Sequence, residues 1–227
     1  MEKTKWNPGD KSSCPFNEMV SLDLKALSTV DIYKLLIGTI IPRPIAFVST
    51  ISDSGVVNLA PFSFFNGVAS NPPTVVFSVS RKRDGQKKDT LRNIEQNKEF
   101  VINMVSEWIS EAANHTSAEY PYGISELEKV GLTALPSTTI KPPRVKESPV
   151  QMECVLYDLM NVGGESAGSA TLVVGEIRTI HIAESAYKDG LLLLDQLKPV
   201  SRLGGKYYGR TTDIFKLERP VLPLEDN

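Results

Sequence analysis

Arg81, Lys82, Arg83, Lys87 and Lys88 place five cations within eight residues, directly ahead of Asp89-Thr90, a pair suited to cap a helix. A helix start offers unpaired N–H groups and the positive end of its dipole, so such a stretch can cradle a phosphate. Ser80 and Thr90 could add hydroxyl hydrogen bonds to the same oxygens. The competing reading is a solvated surface turn, where most short basic runs belong. A second stretch, Asn58 to Asn66, mixes a different set of groups. Pro61 donates no N–H, and Ser63-Phe64-Phe65-Asn66 then sets a hydroxyl, an amide and two phenyl rings beside freed backbone. A flat heteroaromatic ligand needs apolar rings to lie against and polar groups around its edge. Against that stands an ordinary barrel-rim turn whose phenylalanines are core.

Other chemistries find less support. His115 and His181 are the only histidines, and no CxxC or HExxH spacing accompanies them, so no metal site is expected. Gly164-Glu165-Ser166-Ala167-Gly168 matches the GxSxG elbow of serine hydrolases, with Ser166 as nucleophile. That elbow leads into a helix, whereas ATLVVGEIRTIHI after it reads as a strand, so a hairpin turn is expected. No GxGxxG opens a helix after a strand, so any nicotinamide cofactor would bind transiently, as a substrate. His115 and Tyr207 remain candidates for work near a ligand, each with a plain packing role as its alternative. Asn114-His115-Thr116 matches a glycosylation sequon, without a secretory signal to give it meaning.

The formal net charge of −2 provides no basic field for nucleic acid or a membrane surface. Two cysteines, Cys14 and Cys154, are too few for a disulfide scaffold. No apolar run approaches the ~20 residues that span a bilayer, and the N-terminus lacks the core of a signal peptide, so a cytoplasmic protein is expected.

The elements that must position these groups follow from pattern. Residues 1–20 read as a polar extension and 21–227 as one domain. A short helix is expected within 22–36, capped by Asp31, and 37–41 reads as extended because Pro42 follows. Strands are expected near 46–51, from Val56, and over 74–80, 99–105, 150–159, 169–182 and 210–217. Asp89-Thr90 opens a helix with Leu91 and Ile94 on one face. Ser106 is expected to cap another, with Trp108, Ile109, Ala112 and Ala113 together on one side. Ser125-x-x-Glu128 is a capping box and Gly131 a stop signal. Leu191 to Leu197 reads as a further short helix. Many short strands with interspersed helices favour a mainly β protein, a β-barrel with helical additions.

In order along the chain, RPIAFVST (43–50), NLAPFSFFN (58–66), NPP (71–73), KDTLRNI (88–94), GLT (131–133), VGE (174–176) and RLGG (202–205) resemble the flavin reductase-like family of FMN-binding split-barrel proteins. The set is similar to flavoredoxins and to nitrilotriacetate monooxygenase component B. The resemblance implies a Greek-key split β-barrel, a homodimer, and FMN near the subunit interface. It implies that Asn58, Ala60, Pro61, Ser63, Phe64, Phe65 and Asn66 flank the flavin ring, with Thr50 near the ring or ribityl chain. Ser80, Arg81, Lys88 and Thr90 would hold the phosphate, with Asp89 also among the cofactor-binding residues, and Tyr207 would approach a flavin, across the dimer. The implied activity is hydride transfer from NAD(P)H to FMN and onward delivery to an acceptor or a partner monooxygenase. A non-enzymatic FMN electron carrier of flavoredoxin type shares every one of these motifs.

Overall fold

The computed structural model describes residues 6–220, and its β-branched and aromatic runs become the strands of one antiparallel sheet. These are β1 (Ala46–Ile51), β2 (Val57–Phe62), β3 (Phe65–Ser70), β4 (Pro73–Ser80), β5 (Glu99–Met104), β6 (Val150–Val162) and β7 (Ala170–Ile182). Their order is β2-β1-β5-β6-β7-β4-β3. The two edge strands, β2 and β3, are therefore neighbours in the chain, joined only through Ser63 and Phe64. Pro61 lies on one of those edges, where its missing N–H breaks no central ladder. The sheet curls until Phe62 of β2 meets Phe77 of β4, with ring centroids 5.3 Å apart, and Phe77 packs edge-on against Phe100 of β5 at 5.5 Å. Aromatic packing, not a ladder of hydrogen bonds, closes this side of the barrel.

β1 is buried on both faces, which explains its near-continuous apolar run. Ala46 and Val48 point into the barrel core, while Phe47 joins Leu59, Ile109, Ala113 and Leu127 in a second core outside it. That outer core is covered by α3 (Ser110–His115) and α4 (Glu126–Lys129). Ser125 caps α4 as its spacing predicts, and Gly131 takes φ +69 beyond it.

Several expectations are corrected. α1 spans Thr29–Thr39 and runs through most of the stretch read as extended, because the restraint from Pro42 acts on Ile41 alone. Its cap is Ser28, whose Oγ accepts the Asp31 N–H at 3.1 Å; Asp31 sits inside the helix. α2 (Asp89–Asn97) begins one residue early, with Lys88 at the cap, and buries Leu91 and Ile94 as expected. A 3-10 turn over Glu107–Ile109 precedes α3 and changes the angular spacing. Trp108 faces out, its Nε1 donating to the Glu147 carbonyl, while Ile109 and Ala113 go in. Phe65 and Asn66 belong to strand β3 and not to a loop. Leu191–Leu192 pairs with Tyr187–Lys188, leaving only Leu194–Leu197 helical. Near the C-terminus Tyr208–Arg210 pairs with Val200–Arg202, and residues 211–217 add no strand.

Candidate functional site

A cleft of about 900 Å³ opens where the two sheet edges meet. Its floor is β2 and the corner after it, through Asn58, Ala60, Pro61 and Phe64. One end is built by Ser80 at the tip of β4 and the basic loop that follows. The β6–β7 turn, the segment 116–120 and α1 supply the remaining walls. The basic loop and the β6–β7 turn touch at their glycines. Gly85, at φ +82, lies so near that a Cβ there would sit 2.8 Å from the Glu165 carbonyl oxygen. Ser166 is thus part of a hairpin turn, as its surroundings predict, and His181 is engaged elsewhere, 2.7 Å from Glu153.

Folding sorts the five cations. Lys82 pairs with Asp89 at 3.3 Å and Lys87 with Glu95 at 2.6 Å. Among the described residues no carboxylate lies within ion-pair distance of Arg81, Arg83 or Lys88, and all three line the cleft, Arg83 exposed and the other two half-buried. The Arg81 Nε is buried with no hydrogen-bond partner. A buried, unpartnered guanidinium nitrogen is costly, and an anion in the cleft would relieve it. The Lys88 ammonium stands 5.7 Å over the Phe62 ring. Burial lowers its pKa, the Glu119 charge opposes that, and nearby Lys82 adds to the lowering.

Behind the floor lies a buried polar chain. Thr90 Oγ1 donates to Asn58 Oδ1 at 2.7 Å, as does Thr50 Oγ1 at 3.3 Å, and Asn93 Nδ2 donates to Thr50 Oγ1 at 3.0 Å. Asn58 Nδ2 donates to both carboxylate oxygens of Glu126 at 3.0 Å, and Leu59 N–H donates to one of them at 3.0 Å. The single hydroxyl proton of Thr90 is committed to Asn58, so its backbone N–H at the start of α2 is the donor left for an anion. Burial raises the Glu126 pKa, and the Asp89 charge pushes the same way; hydrogen bonds from the Leu59 and Glu126 backbone and from Asn58 only partly offset this.

Of the residues expected at the site, Asn58, Ala60, Pro61, Phe64, Ser80, Arg81, Lys88, Asp89 and Thr90 line the cleft together. Thr50 is fully buried one layer behind it. Ser63 Oγ accepts from Arg43 Nε at 3.3 Å, and Phe65 packs on the barrel core. Asn66 is exposed on β3, its Oδ1 accepting the Gly67 N–H at 2.9 Å. His115 Nδ1 is 2.9 Å from the Tyr120 hydroxyl, and Tyr207 is 74% exposed away from the cleft. Sequence reasoning missed Glu126, which it saw only inside a capping box, together with Glu119 and the whole inner face of α1.

The model of the flavin reductase like domain matches residues 37–200. The chain belongs to the flavin reductase-like family. As a family member it is 42% identical to nitrilotriacetate monooxygenase component B from Bacillus cereus, with a TM-score of 0.85 over 89% of this chain and 100% of that one. It is 35% identical to 2-nitrobenzoate 2-nitroreductase NbaA of Pseudomonas fluorescens, with a TM-score of 0.81 over 91% of this chain and 100% of that one. Flavoredoxin of Desulfovibrio vulgaris shares the fold, at 21% identity and a TM-score of 0.67, over 78% of this chain and 91% of that one. A flavin reductase-like split barrel binds flavin, and the residues present fit that group. The orphaned Arg81 Nε and unpaired Lys88 suit a phosphate, and the Pro61–Phe64 corner offers an apolar surface. No helix among the described residues is long and apolar enough to cross a membrane.

Proposed function

We propose that this flavin-binding oxidoreductase is an FMN-dependent NAD(P)H reductase that hands its electrons to an acceptor or to a partner monooxygenase. One observation carries the choice of FMN: Arg81 and Lys88, two of the three loop cations without an ion pair and the first with a buried and unpartnered nitrogen, stand at one end of the cleft beside the start of α2. A terminal phosphate monoester matches that pair in charge and in donors. Bound there, the flavin would supply the redox chemistry by accepting a hydride at N5. The protein's part is binding and orientation. Arg81, Lys88 and the α2 N-terminus hold the anion, Phe64 and Pro61 flank the ring, and the Thr50–Asn58–Thr90–Glu126 chain fixes the floor. No side chain is assigned an obligatory proton transfer, and Tyr120 in the cleft wall, with His115 hydrogen-bonded behind it, is secondary.

Two of the three named relatives support the two kinds of acceptor, since one is a monooxygenase component and the other a nitroreductase. The proposal includes a homodimer in the cytoplasm, as the family resemblance implies; Tyr207, which lies off its own cleft, would then approach the flavin of the neighbouring subunit.

FMN and riboflavin, which differ only by the phosphate, provide the test. Arg81→Ala combined with Lys88→Ala is expected to weaken FMN binding by at least about 100-fold, from two charge-assisted contacts, measured by quenching of flavin fluorescence. Riboflavin binding should change by less than about threefold. Equal losses for both, or none for FMN, overturn the phosphate assignment. Anaerobic bleaching of bound FMN by NADH or NADPH then separates a reductase from an electron carrier.

A further inference from the structure

The helix that roofs the cleft is apolar, yet it buries only part of its apolar surface: Ile32, Leu35 and Ile37 are half-buried, and Val30, Tyr33 and Leu36 are exposed. α1 carries Val30, Ile32, Tyr33, Leu35, Leu36 and Ile37, yet none of its residues is buried. A helix with an apolar stripe must cover something, and here part of the stripe faces the cleft. Thr29, Ile32, Tyr33 and Leu36 follow the spacing i, i+3, i+4 and i+7, so they share one face, and all four line the cleft. Tyr33 is 53% exposed.

Two anchors hold this helix at a fixed standoff. At its first residue, Thr29 lies against Gly168 of the β6–β7 turn, where a Cβ would come within 2.4 Å of the threonine methyl. At its last turn, Arg43 Nη1 donates to the carbonyls of Ile37 and Ile40, both at 2.6 Å. Arg43 is only 3% exposed. Its Nη2 donates to the Leu203 carbonyl at 3.1 Å, and its guanidinium lies 5.8 Å from the Phe64 ring centroid. Through Nε it also holds Ser63. One buried side chain therefore ties the helix to the corner opposite it, and the protein itself sets the gap between roof and floor.

We propose that α1 is the co-substrate wall of the cleft. A planar aromatic ring is held between the flavin, which lies on the β2–Phe64 side, and the Ile32–Tyr33–Leu36 face of α1. This rests on the FMN reading above. The facing side chains are apolar or aromatic, and Lys34 beside them is paired with Asp31 at 3.0 Å, so the wall recognises a flat ring and not a charge. The reduced nicotinamide ring and an aromatic electron acceptor share that chemistry, and a hydride-transferring flavin meets each of them face to face. Tyr33 is the specificity-determining residue, and Arg43 the positioning residue behind it.

The test compares Tyr33→Ala, Tyr33→Phe and the unaltered chain for FMN affinity, for KM and kcat with NADH and NADPH, and for KM with menadione as the aromatic acceptor. Tyr33→Ala is expected to raise KM for the nicotinamide, for menadione or for both by about five- to tenfold, the worth of one aromatic contact. FMN affinity and kcat should stay within about twofold, and Tyr33→Phe should match the parent. A rise confined to one substrate supports the wall and assigns it to the donor or to the acceptor. Unchanged KM for both substrates overturns the proposal. Loss of FMN itself in Tyr33→Ala also overturns it, because α1 would then face the flavin. A parent chain that binds no FMN overturns the functional reading first, before any variant is compared.

Discussion

Two carboxylates are buried among the described residues, and the fold treats them in opposite ways. Glu153 on β6 is 0% exposed and Glu126 on α4 is 6% exposed. Glu153 receives the Thr138 and Thr139 N–H groups at 2.7 Å each, both threonine hydroxyls, and His181 Nε2 at 2.7 Å. Burial alone would raise its pKa, but the donors outweigh burial and hold it at about 2. Glu126 lines the cleft with Asn58 Nδ2, Leu59 N–H and its own backbone N–H as donors, and burial still raises its pKa. Where a loop is being anchored, the charge is saturated with donors. Where a ligand is to enter, the charge is left short of them.

The same substitution should therefore give unequal results at the two sites. Glu153→Gln is expected to cost on the order of 3 kcal/mol, because an amide cannot accept from donors that converge on both carboxylate oxygens. Denaturant titration at neutral pH reads this directly. If the loss is under about 1 kcal/mol, Glu153 is no anchor and the comparison fails.

The acid limb sharpens the contrast. A carboxylate depressed from 4.5 to about 2 contributes stability that is complete above its unfolded pKa and is lost as pH falls between those values. That loss amounts to on the order of 3 kcal/mol. Stability measured from pH 5 to 2 should fall steeply in the parent chain, and this part of the slope should be missing from Glu153→Gln. Glu126 has the reverse sign. Its raised pKa means that ionisation destabilises the fold at neutral pH, and the destabilisation is relieved as pH falls through the raised value.

The smallest effects belong to Glu126→Gln. Stability at pH 7 should stay within about 1 kcal/mol of the parent, in either direction. FMN should bind equally well or up to about threefold more tightly, since one negative charge has left the cleft. A destabilisation matching that of Glu153→Gln would make both carboxylates anchors.

How far the sequence could be read depended on the range of the interactions. β1 and β4 were legible because both faces of a buried strand demand β-branched and aromatic residues. The basic loop could be read as a candidate anion site because its charges lie close together in the chain. Which charges stay free was not, since Lys82 and Lys87 are neutralised only when α2 folds back Asp89 and Glu95. α1 was cut short in the reading because its C-terminal carbonyls are capped by Arg43, a partner that only the fold supplies. The fate of Ser63 turned on the same guanidinium. Glu126 could be read as a helix-start residue, but its contact with Asn58 spans 68 positions and leaves no local pattern.

The corner at Ser63 and Phe64 carries a consequence for engineering. The seven strands make six pairings, and none joins β2 to β3. An insertion between those two residues would lengthen the only covalent link across the seam and leave every ladder in register. Ligand range and barrel architecture are thus separable variables in this molecule, and the corner is where a library of loop lengths could alter the first while sparing the second.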